Sequence, residues 1–124
     1  MNDHEERRDM LAAHVLLTYG LIAKVLQRLP IPIELPTKLD KDWQGPEAVQ
    51  GLARTLELLG ELPVQDGIRQ LLHQLILDWL TAWSLGGVDF ARPAPWLLDA
   101  AEYALARVEA QADLVIETLD LDMR

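Results

Sequence analysis

The sequence predicts an all-α fold, one domain spanning 1–124, built as a bundle of about four helices with a proline-rich extended connector between the first two. Three observations carry this. Apolar residues recur at alternating steps of three and four in four separate stretches, the spacing that lines one face of an α-helix. Proline and glycine clusters separate those stretches. No segment alternates apolar and polar residues as a half-buried strand would. A chain of 124 residues suits a single domain, and with half of them hydrophobic and a quarter charged it has enough apolar surface to form a core.

The first helix follows from Leu11, Val15, Thr18, Ile22, Val25 and Leu29 and is expected from about Asp3 to Leu29. Asp3 with Glu6 resembles a capping box, and Pro30 stops the helix. The connector from Pro30 to Gly45 holds Pro30, Pro32 and Pro36, which favour extended backbone in the residues before them. Its Ile31, Ile33, Leu35 and Trp43 are costly to leave in water, so it is expected against the bundle or a partner. Helix 2 opens at Gly45-Pro46, carries Val49, Leu52, Leu56 and Leu59, and is expected to end on a left-handed cap at Gly60. Helix 3 is expected from about Val64 to Leu85, with Ile68, Leu72, Leu75, Trp79 and Ala82 inward and Gly86-Gly87 as its terminator. After a loop with Phe90, Pro93 and Pro95, an unbroken heptad seam runs through Leu98, Ala101, Leu105, Val108, Ala112, Val115 and Leu119. Such a seam packs at a shallow angle on its neighbours.

Charge and composition exclude several functions. The net charge is −9, unevenly spread: residues 1–30 hold four acids and four bases, whereas 91–124 hold seven acids and three bases. Lys and Arg cluster nowhere beyond Arg7-Arg8, so direct nucleic-acid binding is not expected. The absence of cysteine removes disulfides, thiolate nucleophiles and cysteine metal sites, and fits a cytoplasmic protein. The uncharged run from Met10 to Ala23 reads as too short and too polar to span a bilayer, so no membrane partner is expected. His4, His14 and His73 include no pair at the spacing that puts two imidazoles on one helical face, so no metal is expected. Ser84 is the only serine and has no nucleophile motif around it, and no phosphate-cradling glycine loop occurs. The chain therefore reads as non-enzymatic and free of cofactors.

What remains is surface. The side of helix 3 away from its core bears Gln70, His73, Gln74, Leu77, Thr81 and Ser84, with no charge. The outer side of helix 1 has Ala13, Leu16, Gly20, Ala23 and Gln27, broken only by Lys24. A helix facing water normally shows charge there, so both helices are expected to be covered on more than one side. On helix 4, Asp99, Glu102, Glu109, Asp113, Glu117 and Asp120 form an acidic stripe beside the seam, which weakens the helix through like-charge spacing and so serves solubility or a basic partner. Candidate partner-binding residues are Ile31, Ile33, Leu35, Trp43, Leu77, Trp96 and that stripe. The leading reading is an interaction protein, a self-associating subunit or adaptor of a larger assembly, with protein partners and a homo-oligomeric or hetero-oligomeric state. The alternative is an acidic inhibitor or immunity-type protein that blocks a basic nucleic-acid-binding surface. A third reading is a small-molecule binder or enzyme whose pocket is lined by His14, Tyr19, Asp78 and Trp79.

Overall fold

The computed structural model describes residues 2–36 and 45–124, so Trp43 lies outside the described residues. Four α-helices are present among them: α1 (Asp3–Gln27), α2 (Gly45–Leu58), α3 (Asp66–Ala91) and α4 (Pro95–Leu119), with a 3-10 turn at Leu59–Glu61. The fold is all-α, as the periodicity requires.

Three long helices make the bundle. Helices α3 and α4 form the most extensive antiparallel pair, α1 lies against both, and α2 packs on α3 and the 3-10 turn rather than on α1. Contacts at both ends, Arg7 with Asp99 and Arg28 with the Asp122 carbonyl, set α1 parallel to α4. The seam residues Leu98, Ala101, Leu105, Val108, Ala112 and Val115 are buried as their spacing dictates. They meet Leu11, Val15, Ile22, Leu26, Leu72, Leu75 and Ile76 in one continuous core.

An aromatic line crosses this core. Trp79, fully buried, donates its indole N–H to the Val15 carbonyl at 3.0 Å. It leans on Tyr19 at 5.5 Å between ring centres and stacks on Trp83 at 5.7 Å. Trp83 in turn fills the space where a β-carbon of Gly45 would stand, 1.9 Å from its outer ring atom. Gly45 is thus required by close approach, since any side chain there displaces the indole.

Three helix ends differ from expectation. Helix α1 is capped one residue earlier, by Asn2, whose side chain accepts the Glu5 N–H at 2.8 Å, and Asp3 is already helical. Gly60 does not adopt the left-handed conformation. Arg69 replaces that cap by donating to the carbonyls of Leu59, Leu62 and Val64, which satisfies the orphan acceptors of the turn from a side chain. Gly86-Gly87 does not terminate α3, which continues to Ala91. The extension carries Asp89 into the interior, where its contacts to α1 and to the start of α4 offset the roughly 1 kcal/mol each helical glycine costs. A β-carbon on Gly87 would meet nothing within 4 Å. Gly87→Ala is therefore expected to stabilise the protein by about 0.5–1 kcal/mol, seen as a higher thermal midpoint.

Residues 29–36 tie back to the bundle. The Ile33 N–H donates to the Leu26 carbonyl at 3.0 Å, the Tyr19 hydroxyl donates to the Pro36 carbonyl at 2.6 Å, and Leu35 and Pro36 sit beside Gly51 of α2.

Candidate interaction surface

Two polar knots lock α1 in place. At one end of the bundle the Asp89 carboxylate, inaccessible to solvent, accepts from His4, from Arg8 and from the Ala94 N–H at 2.9–3.0 Å. Burial pushes its pKa up, but these three donors outweigh it and hold the carboxyl below its ordinary value. One side chain thereby joins the start of α1, the end of α3 and the N-terminus of α4.

Along the α1–α4 groove, His14 Nδ1 lies 2.6 Å from Glu102 Oε2, and Nε2 contacts Glu109. Two ionised carboxylates can only accept, so both ring nitrogens must donate and the ring is an imidazolium when both bonds form. Partial burial opposes the charge, yet the hydrogen bonds that His14 donates to Glu109 and Glu102 prevail and raise the pKa above 6.5. A group with a raised folded pKa contributes fully below its unfolded value and loses that contribution as pH rises through the folded value. The thermal midpoint is thus expected to fall as pH rises above about 6.5, and His14→Gln to flatten that slope.

These contacts bear on the third reading and on the acidic stripe. His14 does not meet Asp78, which instead accepts from Arg107 and Gln111 of α4. With the Tyr19 hydroxyl on Pro36 and the Trp79 indole on Val15, the four residues of the supposed pocket direct their polar atoms elsewhere. The acidic stripe also divides. Asp99 pairs with Arg7, and Glu102 and Glu109 with His14, because α1 packs on the side of α4 that carries it. Asp113, Glu117 and Asp120 stay exposed, and the Asp113 and Glu117 carboxylates hold no ion pair among the described residues.

The remaining candidates are scattered. Ile31 is exposed, Ile33 half-buried and Leu35 buried against the bundle. Leu77 and Trp96 are exposed on the outer sides of α3 and α4, far more so for Trp96. Gln70, His73, Gln74, Thr81 and Ser84 are all exposed beside Leu77, so the uncharged outer side of α3 is uncovered. On α1, Ala23 is buried, whereas Ala13, Gly20 and Gln27 face out.

The most exposed apolar side chains on α1 are two that sequence reasoning missed, Met10 at 70% and Leu17 at 75%. They stand with Ala13 and Gly20 on the side away from the core. The signal was present as a second run of three-and-four steps, from Met10 through Ala13, Leu17, Gly20 and Lys24 to Gln27, masked by the stronger inward run beside it. Tyr103 and Leu114 make a similar outward row with Trp96 on α4. Between α1 and α3 a shallow hollow of about 310 Å³ is lined by Leu11, Ala12, Val15, Leu16, Ala82 and Trp83 among others.

By length and composition α1 is also long and apolar enough to cross a membrane, with an 18-residue window of mean hydropathy 1.5, because its apolar run resumes after Lys24. A core helix has the same property, and eight of its residues are buried in this bundle. Among the described residues no group of three or more His, Asp or Glu side chains is arranged to hold a metal ion. The chain matches no family model, no curated protein and no solved structure. Its surface chemistry is what bears on function.

Proposed function

We infer that this is a non-enzymatic helical interaction protein of the cytoplasm, a self-associating subunit or adaptor that binds through the outer face of α1. The observation that carries the reading is the pair Met10 and Leu17, each exposed by more than two thirds on a face whose only charge between residues 10 and 27 is Lys24. A soluble helix gains nothing from such a row in water, and contiguous exposed apolar surface marks interaction sites. The net-neutral first thirty residues add to this, since the net negative charge that would repel a second copy lies beyond residue 30.

Sedimentation equilibrium from about 10 to 200 μM tests it. The wild type is expected as a dimer or larger species and Leu17→Asp as a monomer with unchanged helical circular dichroism. A wild type that stays monomeric over that range removes the self-association reading. The acidic-inhibitor reading rests on a shorter stripe, Asp113, Glu117 and Asp120, and would be favoured by partner binding that weakens steeply with salt.

A further inference from the structure

The outer row of α1 has an internal symmetry. Asp3, Glu6, Met10, Ala13, Leu17, Gly20, Lys24 and Gln27 step by three and four without a break, opposite the buried face. Reflected about the level of Val15, Met10 falls on Gly20, Ala13 on Leu17, Glu6 on Lys24 and Asp3 on Gln27. Each large side chain meets a small residue and each acid meets a base or an amide.

We propose that two copies of this chain pair through α1, antiparallel about a twofold axis at the level of Val15, with Leu17 and Met10 of each copy seated on Ala13 and Gly20 of the other and Glu6 facing Lys24 across both rims. The proposal rests on the self-association reading above and specifies its partner and geometry. A twofold interface uses the same patch on both copies, so the patch must be complementary to itself. This one is so in the antiparallel sense only. Parallel pairing would set Leu17 on Leu17 and Met10 on Met10, leave gaps at Ala13 and Gly20, and oppose like charges at both Glu6 and Lys24. Heptad positions agree, because antiparallel helices match the first seam position of one with the second of the other, as Met10 with Gly20 and Leu17 with Ala13.

Among the described residues most of the row is open to such a partner, with Glu34 and Leu35 flanking its Gly20, Lys24 and Gln27 end across a small hollow. Ala13 and Gly20 are exposed, and a β-carbon on Gly20 would meet nothing within 4 Å, so a second helix is free to approach closely. Glu6 and Lys24 have no ion pair among the described residues. Arg7, Arg8 and His14 are turned to Asp99, Asp89, Glu102 and Glu109 of the same copy and do not enter the row, while Glu5 and Asp9 are exposed near its N-terminal end.

A charge swap read by sedimentation equilibrium tests the geometry. Glu6→Lys and Lys24→Glu each turn two attractive rim pairs into repulsive ones and are expected to weaken dimerisation about tenfold. The double variant Glu6→Lys with Lys24→Glu is expected to return within about twofold of the wild type; in a parallel pairing like charges face like in all four proteins, so neither single variant would weaken the dimer. If Leu17→Asp, or Ala13→Glu should the former not fold, abolishes the dimer while the double swap fails to rescue, the antiparallel register is wrong and the self-association reading survives. If the wild type is a dimer that neither substitution disturbs, α1 is not the interface and the proposal fails. A monomeric wild type that instead co-sediments with neutral phosphatidylcholine vesicles overturns it too, and gives the row to a bilayer surface.

Discussion

Leu105→Asp is expected to abolish the fold at neutral pH, with loss of the helical circular dichroism signal and of any cooperative thermal transition. Leu105 is fully buried midway along the α4 seam, among Ala101, Val108 and Ala112 on its own helix and the apolar faces of α1 and α3. An aspartate there finds no donor within the core, and burying an unpaired carboxylate costs several kcal/mol, a large part of the roughly 5–15 kcal/mol that holds a domain together. Tyr103→Asp is the control. Two positions away but 71% exposed, it is expected to change stability by about 0.5 kcal/mol or less. Equal loss in both variants would place the seam on the wrong face of α4.

Asp89→Ala is the second large effect, expected to cost about 3–5 kcal/mol in chemical denaturation. The substitution strands Arg8 and His4, both largely buried beside it, and leaves the Ala94 N–H without its acceptor at the entrance to α4. The pH dependence follows from the depressed folded pKa. The Asp89 contribution is complete above the ordinary carboxylate value of 3.8 and disappears as pH falls through the lower folded value. The wild type is therefore expected to lose stability steeply in acid below about pH 4, and Asp89→Ala to lack that component. An unchanged acid limb would mean that other carboxylates govern acid unfolding.

Much of the architecture was legible because the responsible interactions are local or periodic. The α4 seam from Leu98 to Val115 is buried residue for residue, since six regularly spaced apolar side chains leave a helix one way to face its core. Pro95 marks the first residue of α4 and Pro46 falls in the first turn of α2 for equally local reasons. What escaped depends on residues far apart in sequence. Gly86-Gly87 reads as a stop, and the contacts that offset it include those of Asp89 with His4 and Arg8, more than eighty positions away. The acidic stripe reads as free surface until α1 is known to lie along it, and nothing in the order of residues says whether α1 runs beside Asp99 and Glu102 or on the opposite flank. The outward row on α1 was hidden for a different reason: one helix carries two seams, and the inward one dominates any single reading of its periodicity.

The seating of Trp83 over Gly45 sets an order in which the molecule comes apart. Helix α2 buries only Gly45, Ala48, Leu52 and Thr55 of its fourteen residues and rests on α3 without the support of α1. Its detachment exposes far less apolar surface than separation of α3 from α4, so it requires less free energy than global unfolding. Amide protons of α2 are accordingly expected to exchange with solvent through a partial opening, while those at the centre of α4 exchange only when the whole bundle unfolds. The indole of Trp83, uncovered in the same event, makes that opening visible as a fluorescence change before the main transition begins.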